Sequence, residues 1–288
     1  TRRNTSLTPE GIGYNLGGSR SEGETRIREI NIDWMLGVDK TFGKFGVNAF
    51  VGANQMKRKF ERISANGNGF SVQFFDAINN AAQRSFGYGF SEQGINSIYG
   101  SAEFSYNNIL YLTATARNDW FSVLNPQFNS IFYPSVGGSW IFSDTFGSKP
   151  SWLSFGKLRG SWAQSGLVNL NPYDVNLTYS LGGDDHLGYT RAAFSSAGGT
   201  NGNIPNPAIQ PALSTEIEAG IDLRFFNNRL GLDFTYYKQN TTDDILGSTI
   251  SNASGFRSTT VNIGEIQNQG FEFLLTATPI KGPITWDV

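Results

Sequence analysis

The sequence predicts an all-β fold, an antiparallel up-and-down transmembrane β-barrel. Three observations carry this expectation. Apolar and polar residues alternate at period 2 along most of the chain, as in strands with two unlike faces. Many alternating runs exceed about ten residues, longer than soluble strands usually are and long enough to cross a bilayer at a tilt. Short connections at 40–44, 107–108, 143–153, 227–228 and 279–283 alternate with long ones at 60–95, 122–132, 165–213 and 243–265. Outer-membrane barrels keep that rhythm, with tight periplasmic turns and long extracellular loops. Closure into a barrel also satisfies every backbone group, which lipid demands.

Taken in order, the first hairpin joins 25–39 to 45–59. A turn around Phe42-Gly43 sets Val38 opposite Val47, Leu36 opposite Ala49 and Trp34 opposite Val51. The second joins 96–106 to 109–121. A two-residue turn at Asn107-Asn108 would set Glu103 opposite Leu112, so a bulge or a three-residue turn is expected there. Strands 133–142 and 154–164 follow, then the clearest hairpin, 214–226 with 229–242. Ile217, Ala219, Ile221, Leu223 and Phe225 point one way and Glu216, Glu218, Asp222 and Arg224 the other. Asn227-Asn228 suits a tight turn that needs positive φ. That turn places Ile221 opposite Phe234, Leu223 opposite Leu232 and Phe225 opposite Leu230, apolar on apolar. Strand 266–278 and one beginning at 284 bring the series to about ten. Trp120, Trp140, Trp152 and Trp162 fall near strand ends, where aromatic girdles belong.

Composition agrees. Charged residues make up 16%, well below the roughly 25% of soluble domains, while aromatics reach 14% and there are 34 glycines. No apolar stretch has the length of about 20 residues that a spanning helix needs. A net charge of −2 gives no footprint for nucleic acid. With no cysteine and one histidine, thiol chemistry, His-based metal sites and His-dependent triads lack partners. His186 sits in a Gly/Asp-rich stretch with Asp184 and Asp185, whose spacing is not that of an EF-hand, and it reads as a solvated loop. No catalytic residue, metal or cofactor is expected.

The charges Glu216, Glu218, Asp222, Arg224 and Asp233 read as a ladder on the wet inner wall rather than as a glycosidase acid/base pair. The register sets Asp222 opposite Asp233 with Arg224 on the diagonal, so Arg224 is expected to relieve their repulsion. Contact with substrate or partner is placed in the long loops, on Phe70, Phe74, Phe75, Phe86, Tyr88 and Phe90 and on Tyr173, Tyr179 and Tyr189. Such rings suit stacking on sugars; the competing reading is a loop folded on its own aromatic core.

The strings Ala114-Thr115-Ala116-Arg117-Asn118-Asp119-Trp120, Tyr133-Pro134-Ser135-Val136-Gly137-Gly138-Ser139-Trp140 and Leu153-Ser154-Phe155-Gly156-Lys157-Leu158-Arg159-Gly160-Ser161-Trp162 together resemble SusC/RagA-type TonB-dependent transporters of the Bacteroidetes. The resemblance continues through Gly220 to Leu230, Tyr236 to Leu246, Ser254-Gly255-Phe256 and Asn268-Gln269-Gly270-Phe271-Glu272. It implies a 22-stranded barrel with an N-terminal plug in the bacterial outer membrane. It further implies TonB-driven import of oligosaccharides or peptides, with a SusD-like surface lipoprotein over the mouth. Neither plug nor TonB-contacting segment is recognised, and Val288 is not the terminal aromatic of such barrels. Residues 1–288 are therefore expected to be a partial barrel domain without plug and C-terminal strands. Around Asn206 to Leu213 the family more often has a Trp-Glu pair, so this strand entry departs from its pattern. Two other readings stay open: a passive porin or structural outer-membrane barrel, and a soluble carbohydrate-binding β-domain.

Overall fold

Thirteen strands account for most of the computed structural model, which describes residues 1–8, 17–72, 75–145, 149–181, 192–195, 202–280, 285–286 and 288. They are β1 (Arg2–Thr8), β2 (Ser19–Phe42), β3 (Phe45–Phe70), β4 (Ala81–Tyr106), β5 (Leu110–Phe121), β6 (Ser130–Trp140), β7 (Leu153–Leu167), β8 (Thr178–Leu181), β9 (Ala192–Ser195), β10 (Asn203–Ile204), β11 (Ala212–Phe225), β12 (Leu230–Thr249) and β13 (Ser258–Ala277). Eleven of them form one sheet in the order β1-β2-β3-β4-β5-β6-β7-β11-β12-β13-β10, and β8 pairs with β9 alone. From β1 to β7 and from β11 to β13 each strand lies beside its chain neighbour, the order of an up-and-down meander. Only β10 runs parallel, against the start of β13. Among the described residues the order is open, with β1 and β10 at its edges.

The chain forms two compact units, residues 1–32 with 55–95, and residues 33–54 with 96–288. In the first, β1 pairs with β2 from Arg2↔Thr25 to Thr8↔Ser19, and a 3-10 turn, Ile78–Asn80, leads into β4. In the second, β11 pairs with β7 on one side and β12 on the other.

The registers within the second unit separate two chemistries. Ile221 lies opposite Phe234 and Leu158, and Phe234 opposite Phe273. The alternate positions bring together Asp222, Asp233 and Lys157. The apolar side is not a core. Leu112 is 55% exposed, Phe271 71% and Phe273 63%, and Trp34, Leu36 and Val38 on β2 are also open. Buried apolar side chains are few among the described residues, and in this unit they sit at Phe121, Val123, Leu124, Ile209 and Ala212. A soluble sheet buries its large apolar side chains, and a contiguous exposed apolar face needs a non-aqueous neighbour. The outward side suits lipid. Among the described residues no helix is long and apolar enough to cross a membrane.

Several expectations hold in detail. The turn spans 226–229, with Phe226, Asn227 and Asn228 all left-handed at φ 51, 56 and 62 and the Arg229 N–H donating to the carbonyls of Phe225 and Phe226, and all three expected pairings around Leu223 are present. The second hairpin turns through three residues, 107–109, and a hydrogen bond from Thr113 to Glu103 fixes its register. In the first hairpin the turn is Gly43-Lys44, one residue later than expected. Gly43 is the reason, because at φ 61 it takes the left-handed position. A turn moved by one residue moves each partner by two, so the faces survive, and Asn48 donates to Asp39 and Asn54 to Asp33.

The long loops are corrected. Residues 60–70 and 81–95 belong to strands, and the same holds at 243–249 and 258–265. β3 and β4 run 26 residues each and β12 and β13 run 20, whereas crossing a bilayer takes about 9–11. Their outer parts are solvated strand, which needs no apolar alternation and therefore reads as loop. The connection 165–213 contains β8, β9 and β10. The expected strand beginning at 284 starts outside the described residues; those described beyond it show an isolated bridge, Ile280↔Trp286.

Candidate functional site

Two places collect the functional candidates, one in each unit. In the first unit, alternation along β4 puts Phe86, Tyr88 and Phe90 on one face, with Phe86 81% exposed and Tyr88 67%. Two residues of β3 fasten the pair nearer the strand centre. Tyr88 Oη donates to Glu61 at 3.3 Å, and Lys59 Nζ lies 2.9 Å from the same carboxylate and 5.1 Å from the centre of the Phe90 ring. The Lys59 ammonium beside Glu61 holds its carboxyl below the usual carboxylate range, and the Tyr88 hydroxyl adds to this. A ring with a charge behind it and an open face in front is preorganised for stacking.

The other aromatic candidates divide. Phe75 is exposed in the connection to β4, while Phe70, at the end of β3, is only 9% exposed and presents no ring. Tyr173 is exposed, at φ 74. Tyr179 lies on β8 opposite Phe194, with its side chain outside the described residues. Phe74, Tyr189, Asp184, Asp185 and His186 also lie outside the described residues. Neither Lys59 nor Glu61 was reached from the sequence, although their alternation with Phe60 and Arg62 was a readable signal.

In the second unit Asp222, Asp233 and Lys157 share one face, and the strongest contact there is made by Arg159. From β7, its Nη1 and Nη2 donate to Asp233 Oδ2 and Oδ1 on β12 at 2.8 and 2.7 Å, and Nη2 donates to Thr235 at 2.5 Å. β11 stands between those strands. Arg159 crosses it over Gly220, which lies opposite Arg159 on β7 and Thr235 on β12 and where a Cβ would come within 2.7 Å of Arg159 Nε. The forked geometry of guanidinium on carboxylate makes this the strongest polar contact of the wall. Arg224 does not do this work. It approaches Asp222 only to 3.8 Å and lies over the Phe155 ring, 5.2 Å from its centre. Asp222 has Lys157 directly opposite on β7, and Glu216 accepts from Gln239 at 3.2 Å. Glu218 faces Ser161 and, beside Glu103, Lys157 and Arg159, lines a shallow recess floored by Gly137.

A second polar wall network centres on Asp119, which is buried. Arg117 donates to it at 2.8 Å, Tyr133 donates to it as well, and the other end of Arg117 reaches Ser97. Neither network has the nucleophile, base and orienting group of an acyl-transfer site. Among the described residues, no group of three or more His, Asp or Glu side chains is placed to hold a metal.

The difference between the two arginines is testable. Arg159→Ala should lower the thermal stability of the whole protein by about 1–2 kcal/mol, as for a part-buried charge-assisted contact. Arg224→Ala should cost under about 0.5 kcal/mol. Heat-induced mobility shifts on gels measure both; equal losses would contradict the assignment of the strongest contact to Arg159.

Comparison with known proteins fits this geometry. The family model described as "TonB dependent receptor-like, beta-barrel" matches residues 2–288. The chain is 30% identical over 208 residues to the TonB-dependent receptor SusC of Bacteroides thetaiotaomicron, covering 67% of the chain and 19% of that protein. It is 29% identical over 194 residues to the TonB-dependent receptor P26 of Formosa agariphila, covering 65% of the chain and 18% of that protein. Among solved structures, one of the RagAB peptide transporter superposes with a TM-score of 0.86 at 20% identity, over 97% of this chain and 31% of that one. The siderophore receptor PirA of Acinetobacter baumannii superposes at 0.54 and 17% identity, over 96% and 38%. At these identities the structures show the shared fold. The chain spans about a fifth of the length of these two curated relatives.

Proposed function

The chain belongs to the TonB dependent receptor-like β-barrel family, and from that premise we propose that it is part of the barrel wall of an outer-membrane importer of SusC/RagA type. The family match over residues 2–288 is the observation that carries the reading. The exposed apolar face supports a lipid setting and speaks against a soluble carbohydrate-binding domain. In this reading the plug and the remaining strands lie in other parts of the protein. The plug engages the TonB complex, and a SusD-like lipoprotein covers the mouth. The cargo is a large nutrient, an oligosaccharide or a peptide, and the protein transports it without chemical change.

The aromatic face of β4 is the proposed contact for cargo or lipoprotein, with Phe86 and Tyr88 as its open rings. Substituting both with alanine removes about 1 kcal/mol of aromatic contact per ring. Uptake of the cargo should then need a several-fold higher concentration, while the heat-dependent gel shift of the barrel stays unchanged. Uptake is measured in cells lacking the gene and complemented with it, using labelled oligosaccharides and peptides, with and without a protonophore. Energy-dependent accumulation that disappears with the gene supports the importer. Uptake that ignores the protonophore would make the protein a passive porin.

A further inference from the structure

The two faces of the first unit have sorted their charges. On the face carrying Phe86, Tyr88 and Phe90, every nearby carboxylate has a cation: Glu24 has Arg3 at 3.3 Å, Glu22 has Arg20 at 2.6 Å, Glu92 has Lys57 at 2.6 Å, and Glu61 has Lys59. On the opposite face the cations stand alone. Arg2 lies opposite Thr25 on β2, and Arg58 and Arg62 alternate with Lys57, Lys59 and Glu61 along β3. All three are exposed, and none has an ion-pair partner among the described residues. The next carboxylate of that parity on β2, Glu29, accepts from Asn31.

The surroundings of Arg62 are open on both sides. A Cβ on Gly23 of β2 would come within 4.0 Å of Arg62 Nε, and one on Gly89 of β4 within 3.8 Å of Arg62 Cβ. Beside them Gly87 leaves room for Ser64, whose Oγ would otherwise be met at 2.7 Å. Glycine on both flanking strands leaves a trough around the guanidinium. Next to it runs a row of hydroxyl and amide groups across four strands. Ser6 lies opposite Ser21, Ser21 Oγ is 2.6 Å from Asn66 Oδ1, and Asn66 Nδ2 is 3.4 Å from Ser85 Oγ. The recess there is completed by Ser19, Asn68 and Gln83 and by two further arginines, Arg20 and Arg84, and no carboxylate lines it.

We propose that this face is a binding site for an anionic saccharide, with Arg62 and Arg58 taking a carboxylate or sulfate group and the Ser21-Asn66-Ser85 row taking ring hydroxyls. Unpaired guanidinium groups offer forked donors matched to planar or tetrahedral oxyanions. Neutral amides and hydroxyls, each both donor and acceptor, match a polyol in the same way. A purely acidic ligand would leave the neutral row without a task, and a neutral glycan would leave the three arginines without one. The site deepens the importer reading by naming its cargo class, and it rests on that reading only for what happens after binding.

Binding is measured on the purified whole protein in detergent, with oligogalacturonate, a sulfated galacto-oligosaccharide, neutral galacto-oligosaccharide and oligoglutamate as probes. An anionic glycan should bind at least tenfold more tightly than the neutral one and should weaken as salt is raised. The double variant Arg58→Gln with Arg62→Gln should abolish that preference, Arg62→Lys should keep part of it, and Arg3→Gln on the opposite face should leave it intact. A normal heat-dependent gel shift shows that each variant is folded. The proposal falls if anionic and neutral glycans bind alike, if the double variant binds as the parent does, or if Arg3→Gln has the same effect. Oligoglutamate binding as tightly through the same arginines would overturn the saccharide assignment in favour of an acidic peptide. Uptake that fails in cells while this binding persists would count against the importer reading alone.

Discussion

Phe273→Arg should destabilise the barrel by about 2–4 kcal/mol, the cost of placing an arginine on the lipid face near the bilayer midplane, whereas Glu272→Arg, one residue away, should cost under about 1 kcal/mol. The two positions differ only in face. Phe273 continues the apolar run Phe271, Leu275 and Ala277 along β13 and lies opposite Phe234, with its ring 63% exposed. Glu272 lies opposite Thr235, on the side where Arg159 and Asp233 meet. In water, Phe273→Arg would be close to neutral, since an exposed phenyl ring loses little when a charge replaces it. A large loss in bilayers therefore reports lipid rather than packing. Both variants are made in the whole protein, reconstituted and unfolded in denaturant. Near-equal midpoints would mean that the exposed face does not meet hydrocarbon.

The same contrast of faces explains what could be read beforehand. The 214–226 and 229–242 hairpin was legible because its turn is local: Asn227-Asn228 fixes the register, and period 2 then assigns every side chain to a face. The first hairpin shows how tolerant this logic is, since a turn misplaced by one residue left parity intact. The outer halves of β3 and β4 were not legible. Segments such as Ser64-Ala65-Asn66-Gly67-Asn68-Gly69 carry turn residues, and solvated strands paired on both sides form without an apolar face. Arg159 was missed for another reason. Its parity was readable, but its partner depends on how β7 meets β11 across residues 168–211, and no local turn sets that register. Arg224 was chosen because the register of its own hairpin sets it on the diagonal from Asp233; Arg159 is 74 residues from Asp233 and reaches it over the strand between. The aromatic candidates were chosen because they fell in segments read as long loops, so buried Phe70 was grouped with open Phe86.

Gly220→Val should cost at least as much as Arg159→Ala, and the two losses should not add. Position 220 has no side chain because Arg159 lies across it: a Cβ there would stand 2.7 Å from Nε and 2.9 Å from Cζ of the guanidinium. Valine adds two further carbons, so the arginine must swing away from Asp233 and Thr235. The variant therefore loses the forked contact and leaves Asp233 facing Asp222 without its neutralising partner. Breaking a charged contact of this kind and leaving one member behind costs about 1–2 kcal/mol where burial is partial, as in Arg159→Ala. Valine is otherwise a better strand former than glycine, an opposing gain of under about 1 kcal/mol. Once Arg159 is alanine, the obstruction has nothing to displace. Gly220→Val in that background should then be neutral or mildly stabilising, a coupling of about 2 kcal/mol between residues on adjacent strands. A double-mutant cycle on the heat-dependent transition measures it. Additive losses would mean that valine clashes with something other than the guanidinium. Gly220 would then be a backbone requirement of β11, and the contact between β7 and β12 would be incidental to it.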